Sequence, residues 1–385
     1  MNPLLTKAHE ILRQQVREFA EREIKHVAQH LDETSTFSPE LTRKMGDFGL
    51  FGINLPEKFG GRNLDTLSYI IAVEELARVD SSQAATVASH NSLGIGPIFQ
   101  FGTEKQKEDL LPGLCTGERL WAFGLTEETA GSDARGTKSE ARLEGDQWVI
   151  NGSKMFITNS ASVLSYGSAV QVVTGTRNGE KELSVILVPR DTPGYHCERI
   201  SNKMMWRAAD TGRLFFENCR VPKENLLGTR GMGAKVMLQT LDSGRLSIAA
   251  MGLGLAQGAY EMALDYARKR EQFGHPIAKY QSIAFKLADM DMKIELARNT
   301  LYKACRMKDD NLPFGRDAAI AKLYCSEIAR EIADEAVQIH GAYGLFKEND
   351  IERFYRDQRI LQIGEGTSEI LRMVIARYMG LKHLM

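Results

Sequence analysis

The hydrophobic periodicity of this chain changes twice, and that order restricts its fold more than any other feature. From Lys7 to about Leu120, apolar residues return at three- and four-residue steps. Ile11, Leu12, Val16, Phe19, Ala20, Ile24, Val27 and Leu31 make one stripe, and Leu67–Val79 repeats the pattern. The segment LPEKFGGRNLD (Leu55–Asp65), with Pro56 and a glycine pair, reads as the loop between them. From about Trp121 to Gly233 the texture becomes β. Asn151-Gly152 between two runs rich in β-branched and aromatic residues predicts a two-residue hairpin within Asp146–Asn159. Ala169–Thr174, Leu183–Val188 and Leu214–Glu217 predict further short strands. From Ala234 the helical period returns, predicting helices over Ala234–Arg270, Ser282–Lys308 and Arg316–His340, with a last one from Ser368. Strands and helices do not alternate, which excludes a doubly wound sheet.

With 385 residues the chain exceeds one ordinary core. The expectation is a mainly α protein of three domains: an N-terminal helical domain (1–120), a middle β-barrel or sandwich (121–233) and a C-terminal four-helix bundle (234–385). Forty-nine basic against fifty acidic residues give a net charge of −1, which supplies no field for nucleic-acid binding. Five scattered cysteines, never spaced C-x-x-C, argue against a disulfide framework or a zinc ribbon and point to a reducing compartment. The first residues carry charge without an apolar signal core, and the longest nearly apolar run, Leu246–Ala256, is half the ~20 residues a membrane span needs. These features predict a cytoplasmic protein with no membrane insertion and no metal site.

Several motifs have plain structural readings. Gly252, Gly254 and Gly258 lie inside a helical run with no strand before them, so they predict close helix packing rather than a dinucleotide turn. GTRGMGAK (Gly228–Lys235) lacks the end of a P-loop and reads as a domain connector. TEETAGSD (Thr126–Asp133), FITN (Phe156–Asn159) and REQFG (Arg270–Gly274) are each, alone, a turn, a strand end and a helix terminus. QIGEGTSEI (Gln362–Ile370) says more. Glu365 stands unshielded between Gly364 and Gly366, and Thr367 is placed to cap a helix whose first amides suit a phosphate. By itself Glu365 reads either as a solvated turn residue or as a functional carboxylate.

Taken together and in this order, LPEKFGG, TEETAGSD, FITN, WRAADTGRLFFENCRVPKENLLG (Trp206–Gly228), LDSGR (Leu241–Arg245), RKREQFG, QIHGAYG (Gln338–Gly344) and EGTSEI resemble the acyl-CoA dehydrogenase family over nearly the whole chain. The resemblance implies FAD as cofactor, an acyl-CoA substrate, an electron-transferring flavoprotein as acceptor and a homotetramer. It places Phe123, Leu125, Thr126, Ser132, Phe156 and Thr158 around the flavin, and Thr367 and Glu369 at the pyrophosphate. Arg270, Phe273, Gln281, Gln338, Gly341 and Ala342 would hold the FAD of a neighbouring subunit. Ser132, Asp242, Arg245 and Gly366 would meet the acyl-CoA, and Glu365 would be the base. Some members of the family carry the base just before the arginine of the LDSGR segment; here that residue is Gly244, which leaves Glu365 as the candidate.

The chain departs from the family at Glu128, where Pro is common, at Phe156, where Trp is common, and at Ser160, where Gly is common. Gly364 replaces a frequent Tyr and leaves room beside the reacting carbons. SHNSLGIGPI (Ser89–Ile98) resembles the pocket floor of butyryl-CoA-type members and suggests a short acyl chain. The implied reaction is α,β-dehydrogenation to the trans-2-enoyl-CoA, with an acyl-CoA oxidase or monooxygenase on the same fold as the alternative.

Overall fold

The computed structural model describes residues 4–381. Helix α1 (Lys7–Phe19) starts at Thr6, whose hydroxyl accepts the His9 N–H while the His9 ring accepts the Thr6 N–H. Through a π-helical turn (Ala20–Ile24) it runs into α2 (Lys25–Thr34). Leu12, Val16 and Phe19 set its buried stripe, and Ile11, one step off that line, is exposed. After α3 (Pro39–Asp47), α4 (Thr66–Ala77) is buried on every side, as its all-round apolar sequence requires. Then follow α5 (Ser81–Ser89), a second π-helical turn (His90–Ile95), α6 (Gly96–Phe101) and α7 (Glu104–Leu114).

The middle region is one eight-stranded sheet: β1 (Leu120–Gly124), β2 (Glu140–Glu144), β3 (Gln147–Thr158), β4 (Ser165–Arg177), β5 (Glu180–Pro189), β6 (Tyr195–Arg199), β7 (Thr211–Pro222) and β8 (Leu226–Leu227). Its order is β6-β7-β3-β2-β4-β5-β8, with β1 added parallel to β4. Trp148, Ile150, Leu214 and Phe216 from one half meet Val170, Val172, Ile186 and Val188 from the other in a single core, so the sheet folds onto itself.

The predicted hairpin at Asn151-Gly152 is not there. The turn falls at Gly145-Asp146, between the paired Glu144 and Gln147, and β3 continues through residues 151 and 152. Asn151-Gly152 instead forms a bulge against β7, with Gly152 at φ +137°, where a Cβ would come within 2.6 Å of the Ser139 Cα. A bulge and a tight hairpin turn both use left-handed backbone, so the same dipeptide serves either.

The C-terminal bundle has four long members: α8 (Gly233–Lys269), α9 (Gln281–Asp309), α10 (Gly315–His340) and, after the short α11 (Ile351–Asp357), α12 (Ser368–Tyr378). Gly252 faces Cys325 and Tyr266 stacks on His340, so α8 and α10 run parallel. Lys308 reaches Ser243 and Arg298 reaches Gln257, so α9 runs against α8. The three glycines act as spacers. A Cβ on Gly252 would stand 2.8 Å from the Cys325 carbonyl oxygen, and one on Gly254 or Gly258 would overlap the carbonyls of Glu74 or Arg78.

Specific hydrogen bonds join the regions. Buried His90 bridges the Leu114 carbonyl (2.8 Å) and the Trp121 N–H (3.1 Å), tying the second π-helical turn to β1. Trp206 donates its N–H to Asp357 at 2.8 Å, linking the sheet to the end of α11. All five cysteines are unpaired thiols, and among the described residues no helix is long and apolar enough to cross a membrane.

Candidate active site

The site is built around the turn that feeds α12. Thr367 caps that helix by accepting the Ile370 N–H, and the two residues before it are left-handed: Glu365 at φ +53° and Gly366 at φ +106°. For a glutamate this backbone is strained and needs outside support. One support is Lys322 of α10, fully buried, whose Nζ donates to the Gly366 carbonyl at 2.7 Å. The Glu365 carboxylate points back onto α8 and occupies the place of the missing side chain at Gly244. Although the residue as a whole is half-buried, its Oε2 is closed to solvent and has no hydrogen-bond partner. Burial pushes the Glu365 pKa up to about 7, against the opposing pull of Lys322 and Arg245.

The surroundings are polar and closely paired. Buried Arg245 bonds Asp242, one turn earlier on α8, and burial raises the Asp242 carboxyl against that pairing. From α4, the Tyr69 hydroxyl meets the Ala88 carbonyl (3.0 Å) and Ser247 (2.9 Å), and its own pKa is raised by burial and by the nearby charge of Glu365.

On the sheet side, Phe123, next to last in β1, shares an apolar cluster with Leu125, Leu93, Ile95 and Val236; Val236 lies about two turns before Gly244 on α8. Thr126 is half-buried and Ser132 exposed, on a loop with an anchor that the motif reading missed. Glu127 turns inward and accepts the N–H groups of Lys138 (2.7 Å) and Ser139 (3.0 Å), and it pairs with fully buried Lys154 at 2.7 Å. Lys154 also donates to the Leu125 carbonyl at 3.2 Å. Burial brings Lys154 down to about 8 against the pull of Glu127. Burial acts upward on Glu127, but Lys154 and the two N–H groups hold it below the usual carboxylate range, so the pair is ionised at neutral pH. The available signal was a lysine as the one charged residue of a strand, next to the apolar Met155-Phe156-Ile157 run. Phe156 sits at a second bulge of β3, left-handed at φ +63° and 60% exposed, while Thr158 pairs with Thr211 at the strand end.

Glu365, Gly366, Thr367, Glu369, Asp242 and Arg245 thus gather where α8, α10 and the turn before α12 meet. The remaining candidates do not join them. Arg270 follows Arg245 by 25 residues along α8, roughly 37 Å. There its guanidinium lies over the Tyr343 ring at 5.5 Å, beside a cavity of about 420 Å³ lined by Tyr266, Arg270, His340 and Tyr343. Phe273 is 93% exposed at φ +56°; Gln281, Gln338 and Ala342 are exposed, and Gly341 ends α10 at φ +60°.

The residues fit a flavin dinucleotide. An exposed aromatic held in a strained strand position offers a face for a planar ring, and the capped start of α12 offers amides for a pyrophosphate. The unpartnered, buried Oε2 of Glu365 lies in the turn that leads into that helix start.

A helical domain, a folded sheet and a helical bundle, with the unpartnered Oε2 of Glu365 against α8, suit a flavin-dependent dehydrogenase. Comparison narrows this further. The chain matches the acyl-CoA dehydrogenase N-terminal domain over residues 6–118, the middle domain over 122–219 and the C-terminal domain over 231–380. It is 47% identical over 380 residues to the probable acyl-CoA dehydrogenase YngJ of Bacillus subtilis, covering 98% of this chain and 99% of that protein. The structure of butyryl-CoA dehydrogenase from Megasphaera elsdenii superposes with a TM-score of 0.95 at 40% identity, covering 98% of this chain and 100% of that one. A glutaryl-CoA dehydrogenase from Mycobacterium smegmatis in complex with FADH2 superposes at 0.93 with 29% identity, covering 98% and 96%. This chain belongs to the acyl-CoA dehydrogenase family. It is an FAD-dependent oxidoreductase.

Proposed function

We propose that the protein dehydrogenates a short-chain acyl-CoA thioester to the trans-2-enoyl-CoA, with Glu365 as the base. The observation carrying this reading is the buried, unpartnered Oε2 of Glu365 resting on Gly244. A free glutamate, with a pKa near 4.3, is too weak a base for an α-hydrogen; burial brings Glu365 near the working pH. The thioester carbonyl needs hydrogen bonds that strengthen as enolate charge develops, and the Glu365 backbone N–H is one such donor. Phe123, Leu125, Thr126, Ser132, Phe156 and Thr158 would hold the flavin ring, with Thr367 and Glu369 at the pyrophosphate. Bound there, FAD supplies the acceptor for the hydride that leaves carbon three. Asp242, Arg245, Ser132 and Gly366 would orient the acyl-CoA.

Arg270, Phe273, Gln281, Gln338, Gly341 and Ala342 stand outside the Glu365 cluster, Arg270 roughly 37 Å along α8 from Arg245. They would hold the FAD of a neighbouring subunit, which makes a homotetramer part of the reading. The butyryl-CoA dehydrogenase likeness and the Ser89–Ile98 segment support a short chain. An electron-transferring flavoprotein in the cytoplasm is the acceptor this reading entails, and the unpaired thiols suit that compartment. The test is anaerobic flavin bleaching by a panel of acyl-CoA thioesters. Four-carbon chains should bleach fastest, and Glu365→Gln should keep its FAD while losing roughly 10³-fold or more in rate. Near-normal turnover by that variant refutes the assignment, and rapid reoxidation in air with peroxide formed indicates an oxidase.

A further inference from the structure

Lys322 differs from the surface lysines of the bundle and, unlike Lys308, which donates to the Ser243 hydroxyl at 3.1 Å, it bonds the turn that carries Glu365. Lys293 and Lys303 sit at the surface, paired with Glu331 and Asp317. Lys322 is fully buried, and among the described residues no carboxylate forms an ion pair with it. A buried ammonium that makes no direct ion pair is unfavourable unless something nearby makes use of it. Its hydrogen bond goes to a backbone carbonyl, that of Gly366, inside the left-handed turn that presents Glu365.

The charged groups facing Glu365 come from several elements. Arg245 projects from α8, but its charge is matched by Asp242. Tyr69 projects from α4 and is neutral. Glu327 of α10 accepts hydrogen bonds from Gln362 and Ser368, and Glu369 lies exposed on α12. Lys322 is the cation of this group that forms no ion pair among the described residues, while Glu365, Glu327 and Glu369 act on it through space. We propose that Lys322 is the positioning residue for proton abstraction. Its ammonium fixes the Gly366 carbonyl, holds Glu365 and Gly366 left-handed, and gives the Glu365 carboxylate a positive neighbour that favours its ionised form. This rests on Glu365 being the base.

Burial alone would drive Glu365 toward its protonated form, which cannot accept the α-proton. Lys322 opposes that drive. Burial also lowers Lys322 itself, to about 8, yet it stays charged through the range in which Glu365 titrates. Glutamine at 322 retains an N–H donor without charge, methionine keeps only the volume, and arginine keeps donor and charge.

The test uses the FAD-loaded enzyme. The rate of anaerobic bleaching by butyryl-CoA is followed from pH 5.5 to 9.5, together with FAD content and melting temperature. In Lys322→Gln the acid limb should move up by about one pH unit, so that a loss of about tenfold at pH 6 nearly disappears by pH 9. Lys322→Met should show the same move plus a loss at every pH, as the turn relaxes. Lys322→Arg should return the limb to its original place. An unmoved limb in an FAD-replete Lys322→Gln enzyme overturns the proposal and leaves Lys322 a packing residue. Failure of all three variants to bind FAD also counts against it, since the role assigned is to the base and not to the fold. The reading of Glu365 is judged separately: an active Glu365→Gln enzyme removes that assignment, whereas an inactive one with an unmoved Lys322→Gln limb rejects only the role of Lys322.

Discussion

The carboxylate of Glu365 fills the space that a side chain at Gly244 would take, although 121 residues separate the two in sequence. Gly244→Ala therefore places a methyl group against Oε2 and must displace the carboxylate or the helix. Dehydrogenation should fall by about 10²-fold with FAD content preserved, since a misplacement of about 1 Å costs that much. The converse swap, Gly244→Glu with Glu365→Gly, puts a carboxylate in the same volume from the other side. It should recover activity over Glu365→Gly alone in the bleaching assay.

Because the Glu365 pKa is raised to about 7, the proposed base is protonated, and so inactive, in the free enzyme below that pH. kcat/KM for butyryl-CoA should rise tenfold per pH unit below about 7 and level off above it. A flat profile between pH 5.5 and 8 would contradict this, as would a limb near 4.5.

The same shift has a consequence for stability, of a sign opposite to that of a salt-bridged carboxylate. The folded pKa lies above the unfolded one, so the native protein binds more protons between about 4.5 and 7, and stability from this group declines as pH rises through that window. Glu365→Gln removes the buried charge. At pH 8 the variant should be more stable than the parent holoenzyme by roughly 1–3 kcal/mol, and at pH 4.5 the two should melt together. Thermal melts at the two pH values check the sign.

Lys154 anchors the loop that carries Thr126 and Ser132 through Glu127 and the Leu125 carbonyl. Lys154→Met leaves the Glu127 carboxylate buried without its cation, a change that costs about 3–5 kcal/mol. Denaturant unfolding should show that loss, and FAD should dissociate at least about tenfold more readily. Glu127→Gln, which keeps an acceptor for the Lys138 and Ser139 N–H groups, should lose less in both measurements.

Much of the architecture was legible because local pattern and burial agree. The helices at 233–269, 281–309 and 315–340 were predicted to within a residue or two, since an apolar stripe at helical spacing has few other uses. The spacing of Gly252, Gly254 and Gly258 inside a helix likewise foretold a close crossing, which Cys325, Glu74 and Arg78 complete. Asn151-Gly152 misled because a turn dipeptide reports left-handed backbone without saying whether the chain reverses there. Pairing with β7 carries β3 straight on.

At the site, the glycines around Glu365 marked an unusual turn, and the run of motifs pointed to a flavin. Sequence alone determined the order of helix and strand, the balance of charge and the glycine-flanked turn at Glu365, because each depends on near neighbours. Which carboxylate and which lysines leave water was decided by the tertiary structure. The partners Gly244, Lys322, Glu127 and Lys154 meet only when helices and strands distant in the chain pack together, and burial acts on ionisation only after that packing exists.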